Sequence, residues 1–347
     1  MGRYLIRRSL FLIMVIVVVS FLTFLIFVKL PAGDPARRAV GRTTTPAQIE
    51  NARKAFGLDK PLYVQYWRFL RGFIPWPISQ PLEMIAGKPP PPDGPWLDST
   101  EPDGPYYSYG SFVPVKEEIA RRLPITGTLA IGAALIWLLL GIPIGILSGV
   151  RRRSVADRAA MIFAIVGVSM PIFWLAQLLL YAFWFKLRLL PSSGIPIGYE
   201  GWGGALRAAA EGRFILPWVS LAYINAAFYA RMVRGNLIET MNEDYIRTAR
   251  AKGLSERRVI YKHGLRGALT PVVTMLGLDV GLLLGGAFIT ETVFGLPGMG
   301  QLAVQAISTN DFPIVMGVTI IGAFIIAVAN LVVDVAYAFL DPRVRYT

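Results

Sequence analysis

Two carboxylates lie inside apolar stretches of the sequence, where a charged group is costly and therefore suggests a function. Asp279 falls within the apolar block 269–290, and Asp334 falls late in the block 313–340. Asp279 could line a passage and meet a substrate amine, or it could pair with a Ser, Thr, Asn or Arg side chain of the bundle. Asp334 is expected to be a structural or interfacial group. Neither has the paired acid and base neighbours that would suggest proton coupling.

Several motifs and residue sets on which catalysis and metal binding depend are missing from the sequence. There are no cysteines, which excludes disulfides, thiolate metal sites and cysteine nucleophiles. The single histidine, His263, excludes a multi-histidine metal site within the chain. No phosphate-binding G-x-x-x-x-G-K-[ST] loop and no serine-nucleophile motif occur. We therefore predict that the chain alone is no enzyme and holds no metal or cofactor, so its energy would come from partners or from an ion gradient.

The polar segment that begins at residue 242 predicts a short, isolated helix of about ten residues. Asn242 is a good N-cap, and Gly253 stands where a left-handed C-terminal cap is needed. Charges agree with the helix dipole, since acidic residues occupy the first turn and basic residues the last: Glu243, Asp244, Arg250 and Lys252. A helix this short is unstable alone in water, so it needs a surface to contact.

One face of this short helix is expected to carry no bulk. Ala249 and Gly253 are four residues apart and so lie on the same side. A face of small residues would let a partner protein approach the backbone closely. Contact of the positive side chains with anionic lipid is the alternative.

Composition and charge place the whole chain in a membrane. The sequence is 54% hydrophobic and only 16% charged, and its apolar residues come in blocks near membrane length. The formal net charge of +13 is distributed over short segments between those blocks, such as Arg151 to Arg153. Basic residues placed in this way are orientation signals for insertion, whereas a nucleic-acid-binding protein gathers them on one soluble face. We therefore predict no nucleic-acid partner and contact with membrane lipid.

The apolar blocks predict an all-α polytopic protein with about six transmembrane helices and with both termini cytoplasmic. The clear blocks are about 9–30, 125–149, 159–185, 269–290 and 313–340, and a weaker one is 214–232. Blocks of this length fit helices, because barrel strands need only about 9–11 residues. The predicted organisation is an N-terminal helix (1–30), an extracytoplasmic region (31–120) with a helical stretch at 46–73, and a core domain (121–347) with a cytoplasmic loop (233–268).

Glycines at four-residue spacing predict close helix packing in two of these blocks. Gly277, Gly281 and Gly285 form one set, and Gly141, Gly145 and Gly149 form another. Static packing within the chain is one interpretation, and a gliding contact between moving bundles is the other.

The segment Tyr245–Leu254 resembles the conserved cytoplasmic loop, called the EAA loop, of binding-protein-dependent transport permeases. Ala249 and Gly253 match the second alanine and the glycine of the family pattern, whereas Arg247 and Thr248 replace its glutamate and first alanine. These departures resemble the dipeptide/oligopeptide/nickel branch of the family. Further segments that resemble this branch occur in order along nearly the whole chain: Pro31–Pro35, Gly57–Tyr66, Arg122–Thr126 and Glu291–Gly300.

The resemblance implies a permease subunit of an ABC importer, with the type I importer permease fold, in the cytoplasmic (inner) membrane of a prokaryote. Its partners would be a second homologous permease subunit, two ATP-binding cassette subunits that bind ATP and Mg²⁺, and an extracytoplasmic solute-binding protein. The substrate would be a di- or oligopeptide, with nickel or another small solute as alternatives. An ion-coupled secondary transporter and a membrane-embedded enzyme are the rivals from other classes.

The resemblance also implies roles for individual residues. The short helix would be the coupling helix, which sits in a cleft of an ATP-binding subunit and transmits its movement through Tyr245, Thr248, Ala249, Lys252, Gly253 and Leu254. Glu291 and the turn that follows it would face outside, where the solute-binding protein docks. Asp279 and Glu291 are the candidates for the translocation path.

Overall fold

The computed structural model describes residues 2–29, 45–47, 49–50, 59, 61–73, 108, 111, 113–196, 198–199 and 201–340. Within these residues the chain is helical almost throughout, which confirms the all-α prediction. The helices are α1 (Gly2–Phe24), α2 (Leu62–Phe73), α3 (Val115–Val150), α4 (Val155–Ser169), α5 (Ile172–Lys186), α6 (Gly201–Ala210), α7 (Ile215–Thr240), α8 (Asp244–Ala251), α9 (Glu256–Leu284), α10 (Phe288–Val293), α11 (Met299–Thr309) and α12 (Phe312–Leu340).

The chain forms two compact units. The larger comprises residues 1–9, 123–301 and 325–347, and the smaller comprises residues 10–122 and 302–324. Most of the predicted extracytoplasmic region 31–120 lies outside the described residues. Of the helical stretch predicted at 46–73, the structure shows helix α2. The predicted domain boundaries therefore stay a prediction.

The larger unit is built on close contact between α3 and α7. The glycines of α3 face this contact: a Cβ atom added at Gly145 would lie 2.7 Å from the carbonyl oxygen of Ala230 and 2.7 Å from Cβ of Val233. Gly141 meets α7 one turn earlier, at Ala226 and Tyr229. Without side chains in the way, the two backbones approach closely, as is common between helices in lipid.

The apolar block 159–185 is bent and does not form one straight helix. It is divided into α4 and α5, which meet at an angle of 103°. The break falls at Met170 and Pro171, where Met170 is extended with φ −86° and ψ 126°. Proline disfavours helical geometry in the residue before it and lacks the backbone donor that a continuous helix needs.

Four helices in the described part of the chain are long and apolar enough to cross a bilayer, and a fifth is added if α4 and α5 count as one span. The four are Ile6–Val28, Val115–Val150, Glu256–Leu284 and Phe312–Val335. The weaker block 214–232 lies in α7, which is continuous for 26 residues but is not among these candidates. Six crossings with cytoplasmic termini therefore stay a prediction.

The smaller unit has its own core. Phe24 of α1 packs against Met316 and Ile320 of α12, with the ring of Tyr66 from α2 beside it. The hydroxyl groups of Ser20 and Tyr66 are 3.0 Å apart and join α1 to α2.

Candidate functional site: the short helix α8 and the polar residues of the bundle

Helix α8 is the short helix that the sequence predicts, and it spans eight residues, Asp244–Ala251. Its N-cap is Glu243, not Asn242, so this part of the prediction is wrong. The side-chain amide of Asn242 instead donates to the carbonyl oxygen of Ile238, at 3.0 Å. Asparagine carries both a donor and an acceptor, and here the donor satisfies the end of α7 in place of the start of α8.

The other end of α8 follows the sequence prediction. Gly253 has φ +74°, the left-handed conformation that glycine adopts without steric cost. Its amide donates to the carbonyl oxygen of Arg250, at 2.9 Å. Arg250 also pairs with the carboxylate of Glu256, at 2.8 Å, so the turn after α8 is held to the start of α9.

The buried side of α8 differs from the expected docking face. Ala249 is only 7% exposed and lies with Ile246 and Val259 in a small apolar cluster, flanked by Met241 and Leu254. The expectation that Ala249 and Gly253 form an open surface is therefore wrong for Ala249. Its small side chain lets α8 lie close to the chain's own α9.

The outward side of α8 carries two polar residues and one small residue. Asp244, Thr248 and Ala251 are exposed and lie three or four residues apart, so they share one side of the helix, opposite Ile246 and Ala249. Tyr245, which is 47% exposed, and the exposed Lys252 lie at the margin of this outward face. The exposure of Ala251 is not evident from the sequence, because the buried side of a short amphipathic helix depends on its neighbours.

Asp279 is half-buried and has a specific partner. The hydroxyl group of Tyr229, a fully buried residue of α7, donates to Oδ2 of Asp279 at 2.7 Å. The contact links the last part of α9 to the middle of α7. Of the two interpretations of Asp279, the structure favours pairing within the bundle. The partner is a tyrosine and not one of the predicted Ser, Thr, Asn or Arg side chains.

Asp334 pairs with a residue from the opposite end of the chain. Nε of Arg8 lies 3.1 Å from Oδ2 of Asp334, and Nη2 lies 3.3 Å from Oδ1. The guanidinium fork therefore meets both carboxylate oxygens and ties the start of α1 to the end of α12. This arrangement agrees with the structural role that the sequence suggests.

Glu291 is fully buried within the protein, and the placement of its turn on the extracytoplasmic side stays a prediction. Its Oε1 accepts a hydrogen bond from the hydroxyl group of Thr126, at 2.8 Å, and its Oε2 accepts one from the amide of Gln301, at 2.8 Å. The Thr126 oxygen in turn accepts the amide of Met299, at 2.8 Å. Burial raises the pKa of Glu291, and the hydrogen bonds oppose that shift. The carboxylate organises the turn after α10.

This turn needs glycine at two positions because the Glu291 carboxylate lies against it. A Cβ atom added at Gly298 would collide with the Glu291 carboxylate, and one at Gly300 would lie 2.7 Å from backbone atoms of Phe288. The turn is therefore packed inside the protein. This packing explains why the sequence has glycine at Gly298 and Gly300. A place for Glu291 in a translocation path has no support in this geometry.

The glycines of α9 pack within the chain. A Cβ atom on Gly277 would collide with Val333, and one on Gly281 would lie 3.0 Å from Cβ of Ala329, both in α12. Gly285 is the C-cap residue of α9. The geometry fits the static interpretation of this glycine set.

A partly buried ion pair between α4 and α7 was not predicted from the sequence. Asp157, at the start of α4, is 4% exposed, and Arg234 of α7 donates to it from Nε at 2.7 Å and from Nη2 at 3.1 Å. The hydroxyl group of Ser148, near the end of α3, donates to Oδ1 at 2.5 Å. The backbone amide of Arg153 donates to Oδ2 at 2.8 Å. We call Asp157 and Arg234 the inner ion pair.

The described residues form a helical bundle with four or five apolar helices long enough to cross a bilayer, as expected of a multi-pass membrane protein. The chain belongs to the family described as "Binding-protein-dependent transport system inner membrane component", which matches residues 141–346. The N-terminal region of the same class of component matches residues 1–79.

Full-length relatives support the assignment. The chain is 36% identical over 347 residues to the glutathione transport system permease protein GsiC of Escherichia coli strain K12. It is 37% identical over 346 residues to GsiC of Pectobacterium atrosepticum, and 38% identical over 347 residues to GsiC of Salmonella paratyphi A. In each case the match covers 100% of both chains.

Family membership confirms several predictions from the sequence. The chain is a permease subunit of an ABC importer and a multi-pass component of the inner membrane, and it is not itself an ATPase. It functions with ATPase and substrate-binding partners. An ion-coupled secondary transporter and a membrane-embedded enzyme are thereby set aside.

Proposed function

We propose that this permease imports di- or oligopeptides. The observation that carries the proposal is the match over the whole chain to permeases named for glutathione transport. Glutathione is a tripeptide derivative, so a permease that resembles these relatives along its entire length is expected to take a solute with peptide bonds and free charged ends. Nickel or another small solute is the alternative.

We further propose that α8 is the coupling helix and docks on an ATP-binding subunit through its outward face. Asp244, Thr248 and Ala251 form the centre of the contact, with Tyr245 and Lys252 at its margin. A helix of eight residues has little stability of its own and is held here by the Ile246–Ala249–Val259 cluster. That cluster leaves the opposite side of α8 open to the partner.

The route from α8 into the bundle is short and hydrogen-bonded. Only residues 241–243 separate α8 from α7, and their amides donate to carbonyl oxygens of the last turn of α7, at Leu237, Glu239 and Thr240. The connection is therefore a tight turn that would carry a displacement of α8 into α7. The complete importer would contain a second homologous permease, two ATP-binding subunits with ATP and Mg²⁺, and an external solute-binding protein.

Uptake by a strain that lacks the native importer tests the substrate. The strain, complemented with this permease and its partner subunits, is offered labelled glutathione, dipeptides, pentapeptides and nickel. ATP-dependent uptake of at least one peptide, with no uptake of nickel, is expected. Uptake of nickel alone would refute the peptide assignment.

An Ala251→Trp variant tests the docking face. The tryptophan would project from the outward face of α8 and leave the buried cluster untouched. We therefore expect normal membrane levels, loss of co-purification with the ATP-binding subunit and loss of uptake. Arg257→Trp, at an exposed site on α9, is the matched control and should retain both. Normal uptake by Ala251→Trp would refute docking at this face.

A further inference from the structure

The inner ion pair joins three helices at one end of the larger unit. Asp157 receives donors from α7 (Arg234), from α3 (Ser148) and from the α3–α4 turn (Arg153). Its own amide donates to the hydroxyl group of Ser154, the N-cap of α4, at 3.2 Å. One carboxylate thus holds the end of α3 and the start of α4 against α7.

A partly buried pair of this kind, in which 25% of the Arg234 side chain is exposed, is not required for stability. The cost of removing two charges from water offsets much of their attraction, and apolar residues of similar volume often replace such pairs without loss. Ser154 alone would cap α4. What the pair adds is geometry, because a guanidinium that meets two carboxylate oxygens fixes both distance and orientation.

The position of the pair relates it to α8. Arg234 precedes the end of α7 by less than two helical turns, and the tight turn to α8 follows. Beside it, the packing is already close: a Cβ atom on Gly149 of α3 would lie 3.1 Å from Cδ2 of Leu237 and 3.5 Å from the carbonyl oxygen of Arg234. The same Leu237 accepts the amide of Met241 in the turn that leads to α8.

We propose that Asp157 and Arg234 are positioning residues for transport. They make the end of α3, the start of α4 and the end of α7 move together when α8 is displaced. This inference depends on the proposed coupling role of α8. Without the pair, α7 could tilt with α8 while α3 and α4 stay behind. ATP would then be hydrolysed without a matching movement of the bundle.

The test measures ATP hydrolysis and peptide uptake in the same proteoliposomes that hold the complete importer. For Arg234→Gln and Asp157→Asn, we expect intact assembly and continued ATP hydrolysis, with peptide uptake per ATP lower by about tenfold or more, the range of typical coupling between sites. Arg234→Lys keeps the charge but not the two-pronged contact and should be intermediate. The exchanged pair Asp157→Arg/Arg234→Asp should recover part of the lost coupling. Glu117→Gln, which removes an exposed ion pair on α3, is the control.

A distance measurement tests the geometry directly, and the absence of cysteines makes labelling simple. Spin labels on Arg152→Cys and Arg247→Cys, both exposed, report the separation of the α3–α4 turn from α8. We expect one narrow distance distribution with and without trapped nucleotide in the native background, and a broader or nucleotide-dependent one in Asp157→Asn.

The outcomes separate the two proposals. A native complex that transports peptide, with an unchanged uptake-to-ATP ratio in Asp157→Asn and Arg234→Gln, overturns the role of the pair alone. Loss of uptake and of ATP hydrolysis in equal proportion also overturns it, because it indicates a merely structural role. A native complex that shows no ATP-dependent uptake of any peptide overturns the proposed function, and this inference with it.

Discussion

Replacing Glu291 with alanine removes the acceptor that organises the turn after α10. The hydroxyl group of Thr126 and the amide of Gln301 both donate to this fully buried carboxylate. Each buried donor left without a partner costs about 1–3 kcal/mol, so the loss of both predicts a destabilisation of about 2–6 kcal/mol. Glutamine keeps one acceptor oxygen but places an amide donor against the other donor, which predicts a smaller loss of about 1–3 kcal/mol.

Thermal unfolding of the purified permease in detergent, followed by tryptophan fluorescence, measures the effect. With a shift of about 2 °C for each kcal/mol, Glu291→Ala should unfold about 4–12 °C below the native chain. Glu291→Gln should lie between the two. The control is Glu239→Ala, at an exposed glutamate of α7. If Glu291→Ala unfolds at the same temperature as this control, the assignment of Glu291 as a buried structural acceptor is refuted.

Three further predictions concern the bundle. Gly145→Leu places a large side chain where even a Cβ atom would lie 2.7 Å from Ala230, so detergent extracts should contain little folded protein, as judged by gel-filtration profile. Tyr229→Phe leaves Asp279 without its hydroxyl donor and should lower thermal stability by about 1–3 kcal/mol with an unchanged KM for peptide uptake; a raised KM would instead indicate that Asp279 contacts substrate. Arg8→Gln breaks a partly exposed ion pair and should cost about 1 kcal/mol or less in the same unfolding assay.

The local features of α8 show how far sequence reasoning reaches. Gly253 could be assigned because a left-handed cap demands one residue type above the others. The N-cap of α8 could not be predicted correctly, because the side chain of Asn242 can either accept a hydrogen bond from the following helix or donate one to the preceding helix. The burial of Ala249 could not be predicted, since it depends on Val259, which lies ten residues further on and in a different helix.

Polar pairs between distant helices were beyond the reach of the sequence. Asp279 and Asp334 could be marked as unusual because carboxylates are costly in apolar blocks. Their partners, Tyr229 and Arg8, are 50 and 326 positions away along the chain, and only packing brings them together. The ion pair of Asp157 could not be predicted, because Asp157 follows a basic turn, where a charged residue is common.

Helix α3 carries two hydroxyl groups, here called anchors, that hydrogen-bond to buried carboxylates: one lies about three turns after the start of the helix and one lies near its end. Thr126 serves Glu291 and Ser148 serves Asp157. The anchors are 22 positions apart (148 − 126), or about 33 Å along an α-helix, close to the hydrocarbon thickness of a bilayer. Deleting one residue between them would shift one anchor by about 1.5 Å and rotate it by about 100°, so that only one carboxylate could be reached. The length of this helix is therefore fixed by its own chemistry as well as by the membrane around it.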